Sequence, residues 1–510
     1  MTVNLTTGPL SFHEVVDVAR HDAPVALTPE ACAAMLDSRA FVEQAASIEA
    51  AVVYGVTTGL GALANTHISP EERVELQRAL IRSHAAGSGP ALEREVVRAM
   101  MLLRGATLAR GHSGVRPSVV EQIVAVLNAG ITPLVPCYGS LGASGDLAPL
   151  AHAALTLIGE GRATIAGREL DSATALRSAA LAPLELQAKE GLALLNGTDG
   201  MLGMLVLACA DLRLLLQAAD VACAMSIEAL LGTDRAFAAD LQALRPHPGQ
   251  VASAANLRML LAGSEITASH RASVHLVQDA YSLRCHPQVV GAVRDTLDFA
   301  AHVARRELGA SIDNPAVMSD GRIESNGNFH GEPLAFACDF LAIAASEIGA
   351  IAERRIDRLL DPDRSQGLPA FLAPNPGVNS GLMLAQYTAA ALVAENRRLA
   401  VPASTDSLPT SGMQEDHVSM GFGAARKLRQ VLDNVARIVA VEVVCAAHGL
   451  DLRAPLAPAP GTASVLEVVR SEVPGPGPDR ELAPLLAAAE SMVRTGRVVA
   501  AAEQAVGTLE

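Results

Sequence analysis

The chain has 510 residues, half of them apolar and 18% charged, and a formal net charge of -15. That acidic balance argues against nucleic acid and anionic membrane as partners, and the length suffices for a large buried core. Seven cysteines (Cys32, Cys137, Cys209, Cys223, Cys285, Cys338, Cys445) show no C-x-x-C spacing and are expected to be reduced thiols of a cytoplasmic protein. Met1-Thr2-Val3-Asn4-Leu5 lacks the charged and then apolar start of a signal peptide.

Residues 1–200 read as short helices between glycine-rich loops. The first such loop is Tyr54-Gly55-Val56-Thr57-Thr58-Gly59-Leu60-Gly61. Ser69-Pro70-Glu71-Glu72 then sets a capping serine, a proline at the first helical position and a glutamate three after the cap. It predicts a helix to about Gly87, with Ser83 and His84 in its last turn. In the segment 139–149, Ala143-Ser144-Gly145 lies in a glycine-rich stretch that is neither helix nor strand. Asp146 is expected to cap the apolar helix that runs on to Ile158 and closes at Gly159. The tripeptide thus sits at the positive end of a helix dipole, a good place for an electrophile.

From about residue 200 long apolar-periodic segments take over: 200–231, 291–308, 333–360, 380–399 and 412–448. The most apolar, Met201 to Met225, carries Asp211, Arg213 and Asp220, and reads as a buried helix, not a membrane span. Long segments with few breaks predict a mainly α protein, a bundle of long helices with a smaller α-rich N-terminal region. The expected division is 1–200, with the tyrosine loop and the tripeptide, and 201–510, the bundle and C-terminal helices, as one continuous enzyme unit. Ser411-Gly412-Met413-Gln414 matches a second capping box and would put Glu415 near the positive end of helix 412–448. Pro455–Gly461 and Pro474–Pro478 read as loops around a short helix, and a last helical segment follows from Glu481 to Val506. No internal repeat, phosphate loop, metal-ligand cluster or pyridoxal lysine motif stands out.

Five more motifs join the segment around Ser144. They are the Tyr54 loop, Leu194-Leu195-Asn196-Gly197-Thr198, Gln278-Asp279-Ala280-Tyr281-Ser282-Leu283-Arg284-Cys285, Asn326-Gly327-Asn328-Phe329-His330-Gly331 and Gln414-Glu415-Asp416-His417-Val418-Ser419. Singly, each has a plainer reading: a loop tyrosine, an ion-pair arginine, a capping asparagine, a core phenylalanine, surface residues at Asp416 and His417. Together and in this order they resemble the aromatic amino acid ammonia-lyase and aminomutase family over nearly the whole chain.

The resemblance implies that Ala143, Ser144 and Gly145 cyclise into a methylidene-imidazolone (MIO) ring, the nitrogen of Gly145 attacking the carbonyl carbon of Ala143 and Ser144 losing its hydroxyl. No separate cofactor is implied. The ring takes the substrate amine, and a tyrosine, Tyr54 by preference, removes the β-proton. Tyrosine ordinarily titrates near 10, so this role asks the site to lower its pKa. Tyr281 assists proton transfer, Arg284 forks onto the substrate carboxylate, and Asn196 and Gln278 hydrogen-bond the substrate or the ring oxygen. Phe329 belongs to the site. The family further implies a homotetramer, each active site shared among chains.

Within the family, substrate choice rests largely on the pairs Ser83-His84 and Gln414-Glu415. Both, and Met383, fit the histidine branch, which implies L-histidine, trans-urocanate and ammonia. His84 and Glu415 can meet the donor and the acceptor of an imidazole, whereas an apolar ring would leave them unpaired. The competing readings are a tyrosine or phenylalanine lyase, an aminomutase, and a helical scaffold that has lost its chemistry. Thr57, Leu60 and Asp199 stand where many relatives carry asparagine or serine, phenylalanine, and glutamine.

Overall fold

The computed structural model describes residues 1–47, 52–273 and 277–510. The mainly α expectation holds: strands are two to four residues long, whereas helices Asp199–Ala229 and Gly421–Asp451 reach 31 residues each. The described residues fall into two compact units, neither continuous in sequence. The first comprises 1–207, 301–339 and 402–426, the second 208–300, 340–401 and 427–510.

The first unit is built around helix Arg94–Ala109, buried from Val96 onward. Two arginines on this helix are buried because each finds backbone oxygens. Arg98 donates to the carbonyls of Val18 and Leu127, and Arg104 to those of Asn196 and Ile312. Strand Ser88–Ala91 pairs antiparallel with Pro136–Tyr138, which delivers the chain to the loop at 139–146. Helices Arg73–His84, Leu147–Leu157 and Glu190–Leu195 pack on one another, and their ends converge on that loop. The second unit holds the later part of Asp199–Ala229, most of His286–Leu308, the bulk of Glu332–Leu360 and Gly421–Asp451, and Met383–Leu399.

Two helices, Asp199–Ala229 and Glu332–Leu360, are long and apolar enough to cross a membrane, but 72% and 56% of their most apolar stretches is buried inside the fold. None of the seven cysteines forms a disulfide.

Four sequence expectations need correction. The helix expected over 412–448 starts at Gly421. Ser411, Gly412 and Met413 all have positive φ (50, 60 and 73°), so Ser411 is not the extended capping residue that the box requires. Asp146 precedes helix Leu147–Leu157 without a side-chain cap bond. Its carboxylate instead accepts from the amides of Gly200 and Met201, both 2.9 Å, and so caps the long helix Asp199–Ala229. Ser69 does not cap the backbone; its hydroxyl bonds Glu72, and Pro70–Glu72 is a single 3-10 turn before helix Arg73–His84. The final helical segment is broken at Gly496 (φ 76°) into Ala483–Arg494 and Arg497–Val506.

Candidate active site

Within the first unit a cavity of about 500 Å³ is lined by Tyr54, His84, Ser144, Asn196 and Glu415, together with Leu60, Leu80, Leu147, Leu192, Leu195, Asn314 and Ser411. Five residues singled out from sequence thus share one wall system. The volume is that of a small-molecule cleft, and its lining is mostly apolar with a few converging polar groups.

The tripeptide sits in a tight reversal. Gly142 and Ala143 both pair with Gly145, whose φ is 76°. A Cβ at Gly145 would overlap the carbonyl of Gly197, so only glycine fits. Ala143 and Ser144 are half-buried, and Ser144 faces the cavity ahead of helix Leu147–Leu157. Asp146, fully buried beside the tripeptide, has its carboxyl pushed up to about 7; burial outweighs the bonds from Met201, Ser140 and Gly200.

Tyr54 lies in a compact turn in which the amides of Val56 and Thr57 both bond the carbonyl of Val53. Its phenolic oxygen accepts from the Gly61 amide at 3.0 Å. Burial raises its pKa above the ordinary value, the Gly61 bond opposes this, and the charge of Glu415 adds to the rise. The expected lowering is absent because burial of the phenol outweighs the Gly61 bond, and the charge of Glu415 acts in the same direction as burial.

His84 ends its helix as expected. Its Nδ1 is 3.0 Å from the Leu80 carbonyl and 3.1 Å from the Ser83 hydroxyl, which itself donates to Leu80. Nδ1 therefore carries the proton, and Nε2 is the free acceptor. Burial lowers its pKa, so the ring is neutral near pH 7 despite the nearby Glu415. Glu415 sits in a loop, not at a helix end; Thr410 and Glu415 exchange backbone bonds of 2.9 and 3.4 Å, and the Thr410 hydroxyl donates to the carboxylate.

Asn196 is held from two sides. Its carbonyl accepts from Arg104, and its Nδ2 donates to the Asn314 carbonyl at 2.8 Å. Its Oδ1 is buried with no partner, an acceptor left for a ligand. Asn314, which sequence reasoning missed, also receives the Asn326 amide on its side chain. It thereby ties the Asn326–Gly331 motif, with half-buried Phe329, to Asn196. Arg104 also pairs with Asp199 at 3.1 Å, at the start of helix Asp199–Ala229, and the Thr57 hydroxyl accepts from the Val53 amide within the Tyr54 loop, so two of the departures have bonded partners near the site.

Gln278, Tyr281, Arg284 and Met383 belong to the second unit. Gln278 and Tyr281 are exposed, the guanidinium of Arg284 lies 4.7 Å from the Tyr281 ring centre, and its Nε donates to the Asp279 carbonyl. Half-buried Met383 opens helix Met383–Leu399.

One group of potential ligands also escaped the sequence, because His417 is far along the chain from His330 and Glu332. His330 stacks on His417 at 5.7 Å, with its Nδ1 3.8 Å from Glu332. Glu332 opens helix Glu332–Leu360, whose positive end favours that carboxylate and disfavours an added cation.

A family model described as aromatic amino acid lyase matches residues 10–471. Histidine ammonia-lyase of Streptomyces coelicolor is 58% identical over 510 residues, 100% of this chain and 99% of that protein. Histidine ammonia-lyase of Sorangium cellulosum is 50% identical over 509 residues, 98% of this chain and 99% of that protein. Among solved structures, tyrosine aminomutase from Streptomyces globisporus matches with TM-score 0.95 and 41% identity, covering 100% of both chains. Histidine ammonia-lyase from Trypanosoma cruzi matches with TM-score 0.91 and 40% identity, covering 99% of this chain and 96% of that one.

Proposed function

The chain belongs to the aromatic amino acid lyase family, and from that premise we infer that it is a histidine ammonia-lyase, converting L-histidine to trans-urocanate and ammonia. The observation that carries the reading is the cavity shared by Ser144, Tyr54, Asn196, His84 and Glu415. The high full-length identity to histidine ammonia-lyases supports it. The likeness of fold extends to an aminomutase, so the chemistry of the cavity decides the substrate.

The tripeptide fits the MIO group. The reversal that pairs Ala143 with Gly145 and the lack of room for a side chain at Gly145 are what closure of a ring over these residues needs. Formed from Ala143, Ser144 and Gly145, the ring supplies an electrophile for the substrate amino group. The orphaned Oδ1 of Asn196 accepts a hydrogen bond from the substrate. Tyr54, as the phenolate, is assigned the β-proton, whose transfer restores the phenol. Tyr281 is assigned assistance to that transfer, Arg284 the carboxylate, Gln278 a hydrogen bond to substrate, and Phe329 and Met383 the packing of its side chain.

His84 and Glu415 read the imidazole. Neutral His84 offers Nε2 as an acceptor, and Glu415 offers a second. An imidazolium, with two N–H donors, meets both, and so does a neutral imidazole if His84 takes a proton on binding. A phenyl or phenol ring leaves at least one acceptor unmatched. The compartment proposed is the cytoplasm and the assembly a homotetramer. The test offers purified protein L-histidine, L-tyrosine and L-phenylalanine beside the Ser144→Ala variant. Urocanate from histidine alone, lost in the variant, is expected; product from tyrosine or phenylalanine overturns the assignment.

A further inference from the structure

The capping-box match at Ser411–Gln414 caps no helix, which leaves Ser411 without the role its sequence suggests. The structure gives it another. Its hydroxyl accepts from the backbone amide of Ala62 at 3.2 Å, a bond spanning 349 residues of chain. The neighbouring amide, of Gly61, donates to the Tyr54 phenol. A Cβ at Gly61 (φ 52°) would press on the Ser411 hydroxyl and lie 3.4 Å from Glu415 Oε1, so glycine is needed for the two loops to meet this closely. Ser411, Met413 and the intervening Gly412 are all left-handed, a conformation costly to residues with a side chain and kept only where surroundings hold it. The turn is closed by the Thr410–Glu415 backbone pair.

We propose that Ser411 is a positioning residue for the reaction: its hydroxyl latches the Tyr54 loop onto the turn that carries Glu415. The base and the group that reads the substrate's side chain are thereby set at one distance. The inference rests on the roles given above to Tyr54 and Glu415. Ser411 is exposed at the cavity rim, and its hydroxyl holds the Ala62 amide, next to the Gly61 amide that donates to the Tyr54 phenol, so its effect falls on the placement of Tyr54.

The experiment compares the full-length protein with Ser411→Ala, Ser411→Gly and Ser411→Asn. Steady-state urocanate formation and limited proteolysis of the 55–66 loop are measured for each. Alanine and glycine remove the acceptor. Asparagine keeps a side-chain oxygen and tolerates the left-handed region. Loss of one hydrogen bond predicts that alanine and glycine each lower kcat about three- to tenfold, with KM for histidine less affected. The loop should also be cut faster, and asparagine should restore both readouts. Wild-type kcat and cleavage rate in Ser411→Ala overturn the latch. So does rescue by glycine but not by asparagine, which would assign the effect to backbone strain. Should the wild type make no urocanate, the functional reading fails, while the cleavage rates still decide whether Ser411 holds the loop.

Discussion

The amide of Gly61 donates to the phenolic oxygen of Tyr54 at 3.0 Å. That bond favours the tyrosinate, but burial and the charge of Glu415 win, and the phenol is held above its ordinary pKa. Where Tyr54 acts as the base, kcat/KM for histidine should therefore climb through the neutral and alkaline range, about tenfold per pH unit at the limit. Glu415→Gln removes one cause of the rise and should move this limb to lower pH. Tyr54→Phe should abolish the limb and lower kcat by about 10² to 10⁴. A flat alkaline profile in the wild type would show that Tyr54 does not supply the base. For stability the sign is the reverse: the raised pKa favours the fold below the ordinary tyrosine value, and this is lost as pH rises through the folded value.

His84 and Glu415 present two acceptors to one imidazole, so removing the charge on one should cost more than a neutral hydrogen bond. Glu415→Gln is expected to lower kcat/KM for histidine by roughly ten- to a hundredfold, the range for a bond to a charged group. It should lower kcat/KM for phenylalanine little or not at all. Parallel kinetics with both substrates check this, and an equal loss for both would place Glu415 outside side-chain recognition.

Asp146 holds its carboxyl at about 7 in the fold, far above the ordinary carboxylate value. Its neutral form is thus favoured by folding. The resulting stability is full below the ordinary carboxylate range and is lost as pH rises through about 7. Asparagine cannot ionise, so Asp146→Asn should gain on the wild type in urea midpoint between pH 5 and pH 8. A constant difference between the two proteins across that range would mean that Asp146 stays charged.

The long helices were legible because a 3.6-residue apolar period over 20 or more residues leaves one solution. The tripeptide, Tyr54, His84 and Asn196 were legible because motif and local turn chemistry coincide there. Ser411 misled because its capping pattern is a statement about local backbone, whereas residues 411–413 form a left-handed turn in which the Ser411 hydroxyl bonds Ala62, 349 residues away. Asp146 misled for the same reason: its cap falls on the helix starting at Asp199, brought near only by the fold. The direction of the Tyr54 pKa depends on burial and on Glu415, and neither is written in the Tyr54 loop itself.

In the second unit Arg355 and Glu442 form a fully buried two-bond pair, 2.5 and 2.8 Å. Arg355 also donates to the Ser282 carbonyl at 3.0 Å, inside the short helix Tyr281–Arg284, and to Nδ1 of His286. His286 in turn donates from Nε2 to Asp220, which Arg294, Ser253 and Asn256 complete. Breaking such a pair leaves a buried charge uncompensated, a loss of about 3–5 kcal/mol, whereas replacing both partners by apolar groups is often near neutral. Arg355→Met should thus destabilise strongly in urea, and Arg355→Met with Glu442→Leu should recover most of that loss. The double variant still lacks the donor to Ser282. Its KM for histidine should stay raised after stability is restored, because the helix carrying Arg284 has lost an anchor. Wild-type KM in a stable double variant would confine Arg355 to a structural role.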